Sequence, residues 1–124
     1  MLGDSNVVVT LAVKDMDVAK KFYEETLGLK KASEDPGGIT YKSGNTKLFV
    51  YQSQYAGTNQ ATAAAWIVDD VAKTVTELKG KGISFEQYDL PGVKREGDIH
   101  IMGPLKAAWF KDPDGNILNV VNGM

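Results

Sequence analysis

The chain has 124 residues, of which 43% are hydrophobic and 24% charged, the make-up of one ordinary globular domain rather than of a disordered segment or two separate enzyme domains. Fourteen Lys and Arg against sixteen Asp and Glu leave a formal charge of -2, which excludes the basic excess that nucleic-acid binding by counterion release requires. With no cysteine, disulfides, thiolate nucleophiles, zinc–thiolate sites and iron–sulfur clusters drop out, and no run approaches the roughly 18 apolar residues that span a bilayer.

Val7–Val13 is a β-branched, apolar run of strand length that stops at Asp15-Met16-Asp17. A helix is predicted to follow, with Asp17 as N-cap, Val18, Phe22 and Tyr23 at helical spacing, and Gly28 ending it after Leu27. Strands are then expected around Leu29–Ser33, Ile39–Ser43 and Lys47–Gln52, the last two joined by the turn Ser43-Gly44-Asn45-Thr46. In the second half the order returns. Ala63–Val68 reads as a strand and Asp70–Gly80 as a helix with Val71, Val75 and Leu78 on one face. Strands near Ile83–Tyr88, Asp98–Met102, Lys106–Lys111 and Asn116–Val121 complete the chain.

Two repeats support a duplication. Asp17-Val18-Ala19-Lys20 recurs as Asp70-Val71-Ala72-Lys73, an offset of 53, and Tyr41-Lys42, Gly44-Asn45 and Leu48 parallel Phe110-Lys111, Gly115-Asn116 and Leu118 at offsets of 69 to 71. The expected fold class is therefore α+β, with two tandem βαβββ modules forming a curved mixed sheet around a cleft. Module one covers about 5–53 and module two about 61–122, within a single domain over 1–124. Strand alternation would send Leu11, Val13, Leu118 and Val120 toward the helices, and Val8, Thr10, Ala12, Asn119 and Val121 into the cleft.

Val13-Lys14-Asp15-Met16 leading to Phe22-Tyr23, then Leu27-Gly28-Leu29 and later Phe110-Lys111-Asp112-Pro113-Asp114-Gly115-Asn116, resembles the vicinal oxygen chelate superfamily, which includes glyoxalases, bleomycin-resistance proteins and extradiol dioxygenases. These motifs describe a helix face and a hairpin turn, so they identify the fold better than the reaction. Metal-dependent members hold a divalent cation with His, Gln or Glu side chains from the opening strand and the later hairpin of each half. Carried onto this sequence, those positions are Val8, Phe49, Ala63 and Asn119, and only the Asn119 carbonyl is a donor. No metal and no other cofactor is expected.

Aromatic groups take the place of ligands. Phe49, Tyr51, Trp66 and Trp109 are candidate pocket residues, with Thr10 and Asn119 as polar contacts, although each ring has a competing reading as core. His100 is the sole histidine, and in Asp98-Ile99-His100-Ile101-Met102 alternation leaves Asp98, His100 and Met102 on one face. It reads as a solvent-facing edge residue, or, if that face is the cleft, as a ligand-binding hydrogen-bond donor or a general acid–base group oriented by Asp98. Glu86 and Glu96 also lie on second-half strands within possible reach of the cleft.

The function expected is metal-independent binding of a small molecule, similar to the bleomycin-resistance branch, with an antibiotic or other aromatic compound sequestered unchanged. The Ala65-Trp66-Ile67-Val68 and Leu48-Phe49-Val50 segments resemble strands of that branch. The competing class is an enzyme, a lyase, isomerase or dioxygenase that is metal-dependent or uses His100. A non-catalytic interaction domain is the third. Family members commonly pair subunits, which implies a homodimer. Met1–Asn6 has no signal-peptide character, so a cytoplasmic location is expected, with no membrane and no nucleic-acid partner.

Overall fold

The computed structural model describes residues 1–124, which divide into two units, Met1–Thr58 and Asn59–Met124. In the first unit a short 3-10 turn at Leu2–Asp4 precedes β1 (Val9–Val13) and helix α1 (Met16–Lys20), which widens into π-helical turns over Lys21–Thr26. Strands β2 (Lys30–Asp35), β3 (Gly38–Ser43) and β4 (Thr46–Gln52) follow, in the sheet order β1-β4-β3-β2 with β1 parallel to β4. A five-residue helix does not stand alone in water. Here Ala19, Phe22 and Tyr23 bury themselves with Leu11, Val13, Ile39, Tyr41, Leu48 and Val50 from the sheet, and full burial of each Val, Leu, Ile or Phe side chain contributes about 1.5–3 kcal/mol. Tyr23 stacks on Tyr41 at 6.2 Å, and the Tyr41 hydroxyl donates to Glu24 Oε2 at 2.8 Å.

The helix begins earlier than expected. Asp15, not Asp17, is the N-cap, its Oδ1 accepting from the N–H groups of Asp17 (2.9 Å) and Val18 (3.2 Å). The end is where the sequence placed it. Leu27 N–H bonds the Phe22 carbonyl, Gly28 turns at φ +75°, and Leu29 N–H returns to Tyr23.

The second unit runs β5 (Thr62–Ile67), α2 (Val71–Gly80), β6 (Phe85–Glu86), β7 (Lys94–Glu96), β8 (Ile99–Met102), β9 (Leu105–Lys111) and β10 (Ile117–Val121). Its sheet order is β5-β10-β9-β8-β7, with β5 parallel to β10 and β6 also pairing with β9. Asp70 caps α2 through the Lys73 N–H at 3.0 Å, and Val71 and Val75 pack with Ala64, Ala108, Phe110, Leu118 and Val120 as the core. The β9–β10 turn is organised by Asp112. Its Oδ1 accepts from the N–H groups of Asp114 (3.0 Å) and Asn116 (2.8 Å), and its Oδ2 from Asn116 Nδ2 (2.8 Å).

Two βαβββ units in an α+β fold are thus present, the second carrying an extra hairpin. The strand expected over Ile83–Tyr88 shrinks to Phe85–Glu86, because the chain turns at Leu90–Val93 and returns as β7, paired with β8. Lys94-Arg95-Glu96 is exposed throughout and has no apolar alternation to announce a strand. The duplication is real, but its helical register is not the one the four-letter match suggests. Thr10 pairs with Phe49 and Ala65 with Asn119, so residue 10 corresponds to 65 and the N-cap Asp15 to Asp70, an offset of 55 rather than 53. No helix is long and apolar enough to cross a membrane.

Candidate functional site

In each unit the helix covers one face of the sheet, and cross-strand register identifies what the other face carries. In the first unit it carries Thr10 and Ala12 of β1, Phe49 and Tyr51 of β4, and Thr40 and Gly38 of β3, because directly paired residues share a face. Phe49 and Tyr51 are half-buried, and their rings lie nearly parallel, 5.9 Å apart with an 11° interplanar angle. Thr10 is exposed beside them. The Phe49 ring rests on Gly38, where a Cβ would meet Phe49 Cζ at 2.8 Å and collide with the Val50 carbonyl oxygen. A glycine at that place therefore lets the ring lie flat on the sheet.

The uncovered face of the second unit carries Trp109, directly opposite Asn119, which in turn is opposite Ala65, with Ala107 and Val121 in the next row. Trp109 is fixed on three sides. Its Nε1–H donates to Thr62 Oγ1 at 3.0 Å, the Tyr88 ring meets it edge-on at 5.6 Å, and the His100 ring does so at 4.8 Å and 90°. Asn119 is buried. Glu86, opposite Trp109, is engaged by Lys111 at 3.2 Å, and Glu96 is an exposed residue of β7. Tyr88 and Thr62 were not singled out by sequence reasoning. Tyr88 lies beyond the end of β6, where alternation carries no information.

Of the readings of His100, the structure overturns the solvent-facing one: the ring is 0% exposed, and no hydrogen bond joins it to Asp98. Asp98 is paired with the Lys79 ammonium and accepts from Gln87 Nε2 at 3.1 Å; these contacts, Lys79 foremost, hold its carboxyl below the usual carboxylate range. His100 Nε2 accepts the Tyr88 main-chain N–H at 2.9 Å, which leaves the proton of the neutral ring on Nδ1, and Nδ1 is buried without a partner. The imidazole sits where β6 leaves β9 and β8 takes its place, and it satisfies a main-chain donor released by that change. A sealed ring with its acceptor nitrogen committed to the backbone is a structural group.

Trp66 and Trp109 are not brought together. Trp66 pairs with Val120 and so shares the helix-side face with Ala64 and Leu118, whereas Trp109 and Asn119 occupy the other. Nor does the divalent cation of metal-dependent relatives fit this chain. Val8, Phe49 and Ala63 offer no side-chain donor, Asn119 offers one neutral carbonyl, and no group of three or more His, Cys, Asp or Glu is placed to hold an ion.

The family model of the Glyoxalase/Bleomycin resistance protein/Dioxygenase superfamily matches residues 6–120. The chain is 27% identical over 132 residues to the uncharacterized protein YurT of Bacillus subtilis (strain 168), across 93% of this chain and 96% of that one. Among solved structures it is similar to a glyoxalase family protein from Enterococcus faecalis, with TM-score 0.74 and 21% identity over 98% of this chain and 99% of the other. It is also similar to a lactoylglutathione lyase from Agrobacterium tumefaciens, with TM-score 0.69 and 20% identity over 95% and 92%. At such identities the structural likeness carries the fold and not the reaction.

Proposed function

Given that the chain belongs to the Glyoxalase/Bleomycin resistance protein/Dioxygenase superfamily, we propose that it is a metal-independent protein that binds a small planar aromatic compound, an antibiotic among the candidates, and releases it unchanged. The observation that carries this reading is the Phe49–Tyr51 pair: two half-buried parallel rings on a sheet face free of helix, in a position where metal-dependent relatives place a ligand and this chain places a ring. Stacking on such rings contributes about 0.5–1.5 kcal/mol per aromatic pair beyond the area buried. Thr10 stands beside them as the polar contact. Trp66, on the helix side of its sheet, is left out.

A lyase, as the Agrobacterium relative is named, or an isomerase or dioxygenase would need either a cation or an acid–base group. The donor set does not fit the first, and the histidine that the alternative reading would use for the second is buried. The reading also takes modules 5–53 and 61–122 as one domain of a cytoplasmic homodimer.

Calorimetric screening with planar aromatic compounds is expected to give saturable binders that mass spectrometry recovers intact. The double change Phe49→Ala and Tyr51→Ala should weaken them about tenfold or more. A screen without any binder refutes the reading, as does stoichiometric Ni, Zn, Fe or Mn in the purified protein whose removal abolishes an activity.

A further inference from the structure

Resting on that reading, we infer that the ligand is an aromatic acid, its ring stacked on Phe49 and Tyr51 and its anionic group held by Lys30, Lys42 and Lys47. These lysines are far apart in the chain, but register places them in one row: Lys30 pairs with Lys42 on β3, and Lys42 with Lys47 on β4. Lys47, Phe49 and Tyr51 alternate along β4 on the same face, so the row lies about 7 Å along the strand from Phe49. Three lysines on three neighbouring strands, about 4.8 Å apart strand to strand, are like charges set directly opposite one another, an arrangement that destabilises a sheet.

No ion pair relieves it. All three lysines are exposed and none forms an ion pair, while Glu34 is taken by Lys20 and Lys31, and Glu24 accepts from Tyr41. Asp35 lies on the same face in the row of Gly38 and Tyr51, so the rings have the lysines at one end and this carboxylate, its Oδ1 accepting the Gly37 N–H, at the other. Two rows, or about 13 Å, separate it from the lysines, beyond the Debye length of about 8 Å at physiological salt. A chain of net charge -2 thus carries a locally positive edge beside its stacked rings. That edge would repel a cationic antibiotic and attract an acid.

The test uses three ligands of one shape: 1-naphthoate, neutral 1-naphthamide and cationic 1-naphthylmethylammonium. Calorimetry at physiological salt should rank them in that order, with the acid about tenfold tighter than the cation and its lead shrinking in molar salt. The double variant Lys42→Gln, Lys47→Gln, both at exposed positions, should erase the ranking while raising the thermal unfolding midpoint slightly, because it relieves like-charge repulsion, and Lys42→Arg, Lys47→Arg should keep the ranking. Equal affinities in the wild type, or a ranking that survives the Gln variant, overturn the inference. If the three bind equally and Phe49→Ala weakens all of them, the binding reading stands without it. If none binds, both fall.

Discussion

Replacing His100 with alanine separates a structural from a catalytic histidine. The change strands the Tyr88 N–H, which costs about 1–3 kcal/mol for an unmet buried donor. It also empties the space of a fully buried ring packed edge-on against Trp109, for which large-to-small substitutions cost about 2–5 kcal/mol. Against these stands relief of the unpartnered Nδ1, worth about 1–2 kcal/mol. The net loss expected is about 3–4 kcal/mol, a large share of the 5–15 kcal/mol typical of a whole domain. With a urea m-value of about 1.5–2 kcal/mol/M, the unfolding midpoint should fall by about 2 M. His100→Gln, which can return an acceptor to Tyr88, should recover about half. His100→Phe keeps the ring volume, discards the orphaned nitrogen and loses only the acceptor, so it should cost about 1–2 kcal/mol. Affinity for 1-naphthoate per folded molecule should not change in any of the three. Should the alanine variant unfold within about 1 kcal/mol of wild type, or should the folded glutamine variant lose a turnover that wild type shows, the structural assignment of His100 is wrong.

Two further outcomes can be checked by the same unfolding experiments. Asp112→Ala removes the acceptor of three hydrogen bonds in the β9–β10 turn and should destabilise by about 2–4 kcal/mol, whereas Asp114→Ala, whose carboxylate is not the organiser of that turn, should cost less than half as much. Lys79→Met should let the Asp98 carboxyl rise toward its ordinary value, visible by NMR titration. Because that value is depressed in the folded chain, the pair's contribution is present above the unfolded value of about 3.9 and lost as pH falls through the folded one. The stability gap between wild type and Lys79→Met, under about 1 kcal/mol for so exposed a lysine, should therefore be constant from pH 7 to 5 and close below about pH 4. A gap of equal size at pH 7 and pH 2 would show that Lys79 acts by packing alone.

Elements whose signal is local were legible in the sequence. β1, both helices, the β3–β4 and β9–β10 hairpins and the Gly28 stop follow from runs, caps and turns that each span fewer than about ten residues. β7 was not legible, since three charged residues on an exposed edge obtain their strand geometry only from β8. The misplaced N-cap has a similar origin. Asp15 and Asp17 are equally good candidates in isolation, and the Asp-Val-Ala-Lys match favoured the wrong one. The pairing of Thr10 with Phe49 and of Ala65 with Asn119 sets the true correspondence, the offset of 55 that the family mapping of Val8 and Ala63 already carried. Trp66, by contrast, was within reach of sequence reasoning. An offset of either 53 or 55 maps it to Val13 or Leu11, both on the helix side, so the repeat already opposed its place in the pocket.

The lysine row shows why the rest of the candidate site had to wait for register. Lys30 and Lys31 are adjacent in sequence, yet pairing sends Lys31 toward Tyr41 and Glu34 on the helix face and Lys30 to the uncovered one. A one-residue change of face is invisible to composition and decisive for charge. It turns a chain that is weakly acidic overall into one with a positive border beside two stacked rings, and under the proposed reading that border, rather than net charge, would select which aromatic compounds approach.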